Sequence, residues 1–256
     1  MRLTADYHTH TVFSDGDNSI ADNVKYAAEA GLQEIGLTEH GFSHVFFGLR
    51  RKNLTEYLLK AREAEKMYGI RVLVGMENNI RGRSGLVDFT EADYENFDLF
   101  LAGMHVAVHY DRYGDSKLGY GSVLRKKFKI KPSKSLIRYT TDAYINAVKH
   151  NPIDVITHLN YRCFADAVEV AKCCRDYGTY LELNSKKEHL TDDELAAVVD
   201  TGVRFVVNSD AHRVNRIGDM KIAETQIERV GVPLDRIDNI DGRFPTFRFA
   251  EYKKHM

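Results

Sequence analysis

Cysteine and proline are scarce in this sequence, and long apolar runs are missing from it. Its three cysteines, Cys163, Cys173 and Cys174, are too few and too poorly spaced for a disulfide framework or a cysteine-based zinc site. With four prolines and no stretch rich in Pro, Gly or Ser, the chain offers no linker at which it would divide. No apolar stretch approaches the roughly 20 residues that span a bilayer, and MRLTADYHTH lacks the layout of a signal peptide. We therefore expect a single domain over residues 1–256, a cytoplasmic location and no membrane partner.

An excess of charge of one sign is also missing, because 36 Lys and Arg stand against 37 Asp and Glu. The formal net charge of −1 makes nucleic acid an unlikely partner overall. The charge is nevertheless uneven, since nine Lys or Arg between Arg112 and Arg138 face one acid, Asp115. Two interpretations of this basic segment stay open: a solvated, mobile loop, or a lid that attracts an anionic substrate.

The chain alternates short β-rich runs with longer amphipathic helical patterns. Several of the helical patterns end at a glycine, as at Gly69 and Gly178, and Thr191 with Glu194 forms a capping-box pattern. Such alternation favours a parallel sheet with crossover helices, and seven strands suit a closed barrel better than an open sheet. Only residues 110–139 are too long for an ordinary connection, so we interpret them as a basic insertion after the fourth strand. The predicted strands are residues 3–8, 34–38, 70–76, 98–104, 154–158, 179–184 and 204–209.

Histidines and carboxylates follow every predicted strand. In β/α barrels, the carboxyl ends of the strands form the face that carries active sites. Unpaired charges gathered there would be costly to bury. Bound metal ions would balance them, because imidazole and carboxylate groups are metal ligands. Imidazole and carboxylate ligands without thiolate suit a catalytic site, where a bridging hydroxide could attack a phosphate ester. The residues at the seven successive strand ends are His8 and His10, Glu39 and His40, Glu77, His105, His158, Glu182 and Asn184, and Asp210 and His212.

The motifs DYHTHTVFSDG, LTEHG, GMENN, AGMH, ITHLN and NSDAH resemble, in order and spacing, those of the PHP (polymerase and histidinol phosphatase) family. Within that family the sequence is most similar to the stand-alone phosphatases of the YcdX type. The resemblance implies an α/β fold, a distorted (β/α)7 TIM-like barrel with a trinuclear metal site at the carboxyl ends of the strands. The implied cofactors are three divalent ions, which could be zinc, manganese or iron.

The resemblance also implies a ligand set. His8, His10, Glu77 and Asp210 would hold the first ion, Glu77 with His105 and His158 the second, and Asp15, His40 and His212 the third. Glu77, Asp210 and His212 are also the candidate catalytic residues. The family more often has aspartate at the position of Glu39, which we interpret as a residue that orients a ligand.

Two further residues are candidates for substrate binding. Arg162 could clamp a phosphate in bidentate fashion, although a plain surface arginine is the alternative. His109 could face the substrate, or it could be an exposed loop histidine. The leading hypothesis is a metal-dependent phosphatase acting on a small phosphorylated metabolite, with L-histidinol phosphate as a candidate. The main alternative is a nucleotide or nucleic-acid phosphodiesterase or exonuclease with the same metal site; a degenerate metal-binding domain and an amidohydrolase are weaker hypotheses.

Overall fold

The computed structural model describes all 256 residues, and a seven-stranded parallel sheet lies at its centre. The strands follow one another around the sheet in chain order. The first and last strands meet through a parallel bridge between Thr9 and Ala211, which brings the sheet close to a closed barrel. The predicted distorted (β/α)7 barrel is confirmed, and every strand falls on a predicted run. The strands are β1 (Ala5–Thr9), β2 (Glu34–His40), β3 (Arg71–Asn79), β4 (Leu99–Gly103), β5 (Val155–Ile156), β6 (Tyr180–Asn184) and β7 (Phe205–Asn208).

Eight α-helices surround or close the barrel, and none of them combines the length and apolarity needed to cross a bilayer. The predicted capping box at the start of α6 (Asp192–Val199) is present, because Thr191 and Glu194 bond to each other's backbone N–H groups. Gly69 and Gly178 end α2 (Leu54–Tyr68) and α5 (Ala167–Tyr177) in the left-handed conformation, with φ of 68° and 71°. The helices are α1 (Ile20–Glu29), α2 (Leu54–Tyr68), α3 (Tyr120–Lys127), α4 (Lys134–His150), α5 (Ala167–Tyr177), α6 (Asp192–Val199), α7 (Lys221–Val230) and α8 (Arg248–Lys253).

The basic segment after β4 is largely helical rather than a loop. It contains a 3-10 turn at Tyr113–Lys117, the whole of α3 and the first turn of α4. The side chain of Ser133 accepts a hydrogen bond from the Leu136 N–H and so begins α4. The Nζ of Lys126, in α3, donates to the carbonyl of Asn160 over 2.6 Å, which fixes α3 against the loop that follows β5.

Two apolar clusters form the core. The larger one, of 51 buried residues, fills the space between the helices and the sheet. The smaller one contains eight buried residues from six of the strands, among them Tyr7, Leu73 and Tyr180, and fills the lower part of the barrel. Because side chains alternate along a strand, Glu77 and Glu182 share a face with Leu73 and Tyr180 and continue that interior upward. The interior therefore turns from apolar to polar toward the carboxyl ends of the strands.

The first strand departs from this alternation. Its pairing with β2 shifts register between Asp6 and Thr9. The irregularity lets Tyr7 belong to the lower apolar cluster while His8 and His10 reach the polar end above it.

Candidate metal centre

The nine predicted metal ligands converge at the polar end of the barrel. The ligand atoms of eight of them form three overlapping groups, in each of which all atoms lie within 4.8 Å of one another. The ninth, His158, lies with its Nε2 2.7 Å from the Oε1 of Glu77. His10 and His40 each belong to two of these groups, so the groups form one continuous centre. The groups are His8, His10 and Asp210; His40, Glu77 and His105; and His10, Asp15, His40 and His212.

Glu77 lies at the middle of this centre and is fully buried. Its Oε1 is 2.7 Å from the Nε2 of His158 and 3.2 Å from the Nε2 of His105. Its Oε2 is 2.9 Å from the Nδ1 of His40 and 3.4 Å from the Nε2 of His8. One carboxylate thus faces four imidazoles, each from a different strand end.

Two aspartates hold the edge of the centre that opens to solvent. The Oδ1 of Asp15 is 3.3 Å from the Nε2 of His212 and 3.5 Å from the Nε2 of His40. The Oδ1 of Asp210 is 3.6 Å from the Nε2 of His10. Asp15 reaches this place because the chain doubles back after His10, where a Cβ on Gly16 would lie 2.4 Å from the carbonyl oxygen of His10.

The buried polar atoms of the centre test whether metal ions fit it. Leaving a buried nitrogen or oxygen without a partner costs about 1–3 kcal/mol. Seven such atoms here make no well-directed hydrogen bond within the protein, although the residues that carry them surround the same centre. This concentration matches the neutral imidazole and carboxylate ligands that divalent ions take, so the residues present fit a metal centre. The atoms are His8 Nε2, His10 Nε2, Asp15 Oδ1, His40 Nδ1, Glu77 Oε2, His105 Nε2 and His158 Nδ1.

Burial and neighbouring charges shift the pKa values of the ionisable groups in the centre. Burial disfavours ionisation of Glu77, but the charges of His105, His8 and His158 outweigh it and hold the pKa of Glu77 well below its usual value. Burial likewise disfavours a charged His8, yet the carboxylates around it raise its pKa well above the ordinary value. Burial and the neighbouring charge of His212 lower the pKa of His10. Glu77 is therefore held ionised, as a carboxylate that binds metal must be.

Glu182 and Asn79 fix the orientation of two of these histidines. An oxygen of Glu182 lies 2.7 Å from the Nδ1 of His8, which turns the Nε2 of His8 toward Glu77. The amide oxygen of Asn79 lies 2.8 Å from the Nδ1 of His105 in the same way. Burial opposes ionisation of Glu182, but the charge of His8 lowers its pKa to about 2. Such outer contacts select the imidazole tautomer and strengthen the ligand.

The backbone is strained at the two ligand residues that follow the fifth and seventh strands. His158 has φ of 29° and Asp210 has φ of 51°, both in the left-handed region that side-chain-bearing residues rarely adopt. The backbone N–H of His158 donates to Glu182 over 2.8 Å and holds this conformation. Gly103 allows the close approach, because a Cβ there would lie 2.3 Å from the Oγ1 of Thr157 and 2.9 Å from the Cε1 of His158.

Glu39 is buried beside the centre but does not contact a ligand nitrogen directly. It accepts hydrogen bonds from the N–H of Thr11 at 3.1 Å and from the hydroxyl of Ser14. The Ser14 hydroxyl lies 3.4 Å from the Nδ1 of His10, so Glu39 reaches a ligand through Ser14. Burial raises the pKa of Glu39 to about 7.

A cavity of about 570 Å³ opens onto the centre. Of the two residues predicted to bind substrate, Arg162 lines this cavity, whereas His109 is exposed and does not line it. The backbone of His109 bonds to Ser43 and Arg81, which holds it on the outer side of its loop. The position of His109 therefore does not support the prediction that it faces the substrate.

Two residues outside the predicted site set also line this cavity. His44 lines it and stacks on His40 with ring centroids 5.2 Å apart. Lys186 places its Nζ 3.2 Å from Asp210. The only sequence signal for His44 was its place four residues after His40, in a segment with no regular periodicity.

Comparison with known proteins finds a family model and several relatives that match most of this chain. A family model described as "PHP domain" matches residues 6–186. A "Probable phosphatase" of Thermoanaerobacter sp. strain X514 is 28% identical over 256 residues, covering 94% of this chain and 92% of the relative. A "Probable phosphatase" of Vibrio campbellii is 26% identical, covering 93% and 88%. The crystal structure of histidinol phosphate phosphatase from Lactococcus lactis, complexed with zinc, L-histidinol and phosphate, matches with a TM-score of 0.66 at 20% identity, covering 98% of both chains.

Proposed function

The chain belongs to the PHP domain family, and from this premise we propose that it is a metal-dependent phosphatase that hydrolyses a small phosphorylated metabolite. The observation that carries the proposal is the group of buried imidazole and carboxylate atoms around Glu77 that have no protein partner. PHP phosphatases depend on metal, and the relatives named as phosphatases span nearly the whole of this chain. L-histidinol phosphate is a candidate substrate, because the Lactococcus lactis protein bears the name of that activity.

We assign the nine predicted metal ligands to three ions. His8, His10, Glu77 and Asp210 would hold the first ion, and Glu77 would bridge to a second held by His105 and His158. Asp15, His40 and His212 would hold the third. Zinc, manganese and iron all accept imidazole and carboxylate ligands. When bound, the ions supply positive charge to the phosphoryl oxygens and lower the pKa of a water molecule toward neutrality.

The chain's own residues would position the substrate against this centre. Arg162 and Lys186 line the cavity and carry donors for phosphoryl oxygens. Glu77, Asp210 and His212 are the proposed catalytic residues, because Glu77 lies at the middle of the centre and Asp210 and His212 line the cavity above it. Glu182 and Asn79 would keep two ligand histidines in one tautomer during turnover.

A phosphate-release assay on the purified protein tests the proposal. The protein is stripped with chelator and reloaded with manganese, zinc or iron. It is then assayed on p-nitrophenyl phosphate, L-histidinol phosphate and a panel of phosphorylated metabolites. We expect phosphate release only after the protein is reloaded with metal. The rate should fall by at least about 10³-fold in Glu77→Ala and in His158→Ala, because each variant removes a proposed metal ligand. An unchanged rate and metal content in His158→Ala would contradict the assignment.

The alternative phosphodiesterase or exonuclease activity is tested in the same series. Bis(p-nitrophenyl) phosphate and single-stranded DNA are added as substrates. A monoesterase should leave both intact, whereas cleavage of DNA with a steep salt dependence would favour the nuclease.

A further inference from the structure

A second cavity of about 420 Å³ adjoins the one over the metal centre. The two cavities share Tyr161 and Arg162 as lining residues. The ring of Tyr161 lies 5.0 Å from that of His158 on one side and 5.0 Å from that of His189 on the other. A small molecule whose phosphate meets the metal centre can therefore extend past Tyr161 into this second space, which we call the distal cavity.

Four cationic side chains line the distal cavity: Lys126, Lys127, Arg162 and Lys187. None of these four side chains forms an ion pair with a carboxylate, unlike Lys186 in the first cavity, which is paired with Asp210. The one acid that lines the distal cavity, Glu188, is already paired with Arg229 at 2.9 Å. The cavity thus holds a concentration of positive charge that the protein does not neutralise.

Two of these cations come from the basic segment that follows β4. Lys126 and Lys127 are the end of α3, and the bond from Lys126 to the carbonyl of Asn160 holds that end of the helix beside the cavity. This position is compatible with the second interpretation of the basic segment, a lid that attracts an anionic substrate. The close approach of like charges costs free energy in the free protein, and an anionic ligand would relieve it.

We propose that the distal cavity binds a second anionic group of the substrate, so that the enzyme selects phosphate esters that carry another negative charge at their far end. The inference rests on the proposed phosphatase function. It defines a substrate class by charge: a bisphosphate, or a phosphate ester with a carboxylate or sulfate. A positively charged group at the far end would meet four cations and be disfavoured.

Three esters of equal length isolate this effect. They are the phosphates of a four-carbon chain whose far end carries a phosphate (1,4-butanediol bisphosphate), a hydroxyl (4-hydroxybutyl phosphate) or an amine (4-aminobutyl phosphate). We measure kcat/KM for each with the reloaded enzyme at low ionic strength. After correction for its two equivalent ends, the bisphosphate should exceed the hydroxyl ester by about tenfold, and the amine ester should be the poorest substrate.

Variants of the distal cavity test whether its positive charge causes the preference for the bisphosphate. In Lys127→Gln/Lys187→Gln the ratio of kcat/KM between the bisphosphate and the hydroxyl ester should fall by about fivefold, and Lys127→Glu/Lys187→Glu should raise the relative rate of the amine ester. Lys172→Gln, at an exposed position on α5 without an ion pair, is the matched control and should keep the native ratio.

The outcomes separate this inference from the proposed function. Equal kcat/KM for the three esters, a preference of the native enzyme for the amine ester, or an unchanged ratio in the double variants would overturn the distal anion site. In each of those cases phosphate is still released. No release from any of the three esters or from p-nitrophenyl phosphate would instead overturn the phosphatase function itself, and the inference with it.

Discussion

Replacing Glu182 with glutamine should weaken metal binding without removing any ligand. Each oxygen of Glu182 accepts from two donors. One oxygen faces the Nδ1 of His8 at 2.7 Å and the Nδ2 of Asn208 at 3.0 Å. The other accepts from the N–H of His158 at 2.8 Å and the Nδ2 of Asn184 at 2.9 Å. Glutamine turns one of these oxygens into an amino group, which must then face a pair of donors.

The size of the effect follows from these four contacts. Two buried donors lose their acceptor, at about 1–3 kcal/mol each, so the metal-free protein should lose about 2–6 kcal/mol of stability. If the amino group faces His8, that imidazole loses the contact that fixes its tautomer. Loss of such an outer contact lowers metal affinity by about 10- to 100-fold, equivalent to about 1.4–2.7 kcal/mol.

The two effects are measured separately. Metal affinity is obtained by competition with a fluorescent chelator, and the free energy of unfolding is obtained by urea denaturation in excess chelator. Glu29→Gln, at an exposed position on α1, is the matched control and should change neither quantity. If Glu182→Gln lost stability but bound manganese as tightly as the native protein, the role of Glu182 in orienting His8 would be refuted.

Two further predictions concern the packing and the buried charge of the barrel. Gly103→Ala should lower kcat by at least about 10²-fold, because its Cβ would push Thr157 and His158 aside, whereas Gly114→Ala, with nothing within 4 Å of the added Cβ, should not. Steady-state kinetics of the two variants test this prediction, and an unchanged kcat in Gly103→Ala would contradict it. Burial raises the pKa of Asp154 to about 7, so the folded chain keeps a proton that the unfolded chain loses as the pH rises from about 4 to about 7, and stability falls over that interval. The free energy of unfolding of Asp154→Asn, measured relative to that of the native protein, should therefore rise by up to about 4 kcal/mol between pH 4 and pH 8. If urea denaturation gave the same difference between the two proteins at every pH, this prediction would be wrong.

The strand ends were predictable because the signals there are local and repeated. Each short β-branched run is followed by a histidine or a carboxylate, and a parallel barrel brings all such ends to one face. The positions of His8, Glu77 and Asp210 within one centre follow from that topology alone. Helix ends such as Gly69 and Thr191 were predictable for the same reason, since a cap depends on residues within one turn.

Other parts of the site depend on contacts that a linear pattern does not carry. The register shift in β1 sets His8 and His10 above Tyr7, and nothing in ADYHT marks it. His44 enters the cavity and His109 does not, because hydrogen bonds between two loops fix both segments. The basic segment carries few apolar residues, so its helix α3 has a weak pattern and is held instead by the contact of Lys126 with a distant carbonyl.

The most direct test of the metal centre is phosphate release from p-nitrophenyl phosphate while the chelated protein is reloaded with measured equivalents of manganese. The rate should be absent in the metal-free protein and rise to saturation at no more than about three ions per chain, the number that the nine ligands accommodate. Glu77→Gln, which keeps the size of the side chain but removes the charge that four imidazoles face, should give a flat curve at the same protein concentration. Full turnover in the metal-free protein, or an identical saturation curve in Glu77→Gln, would contradict the proposed metal-dependent phosphatase.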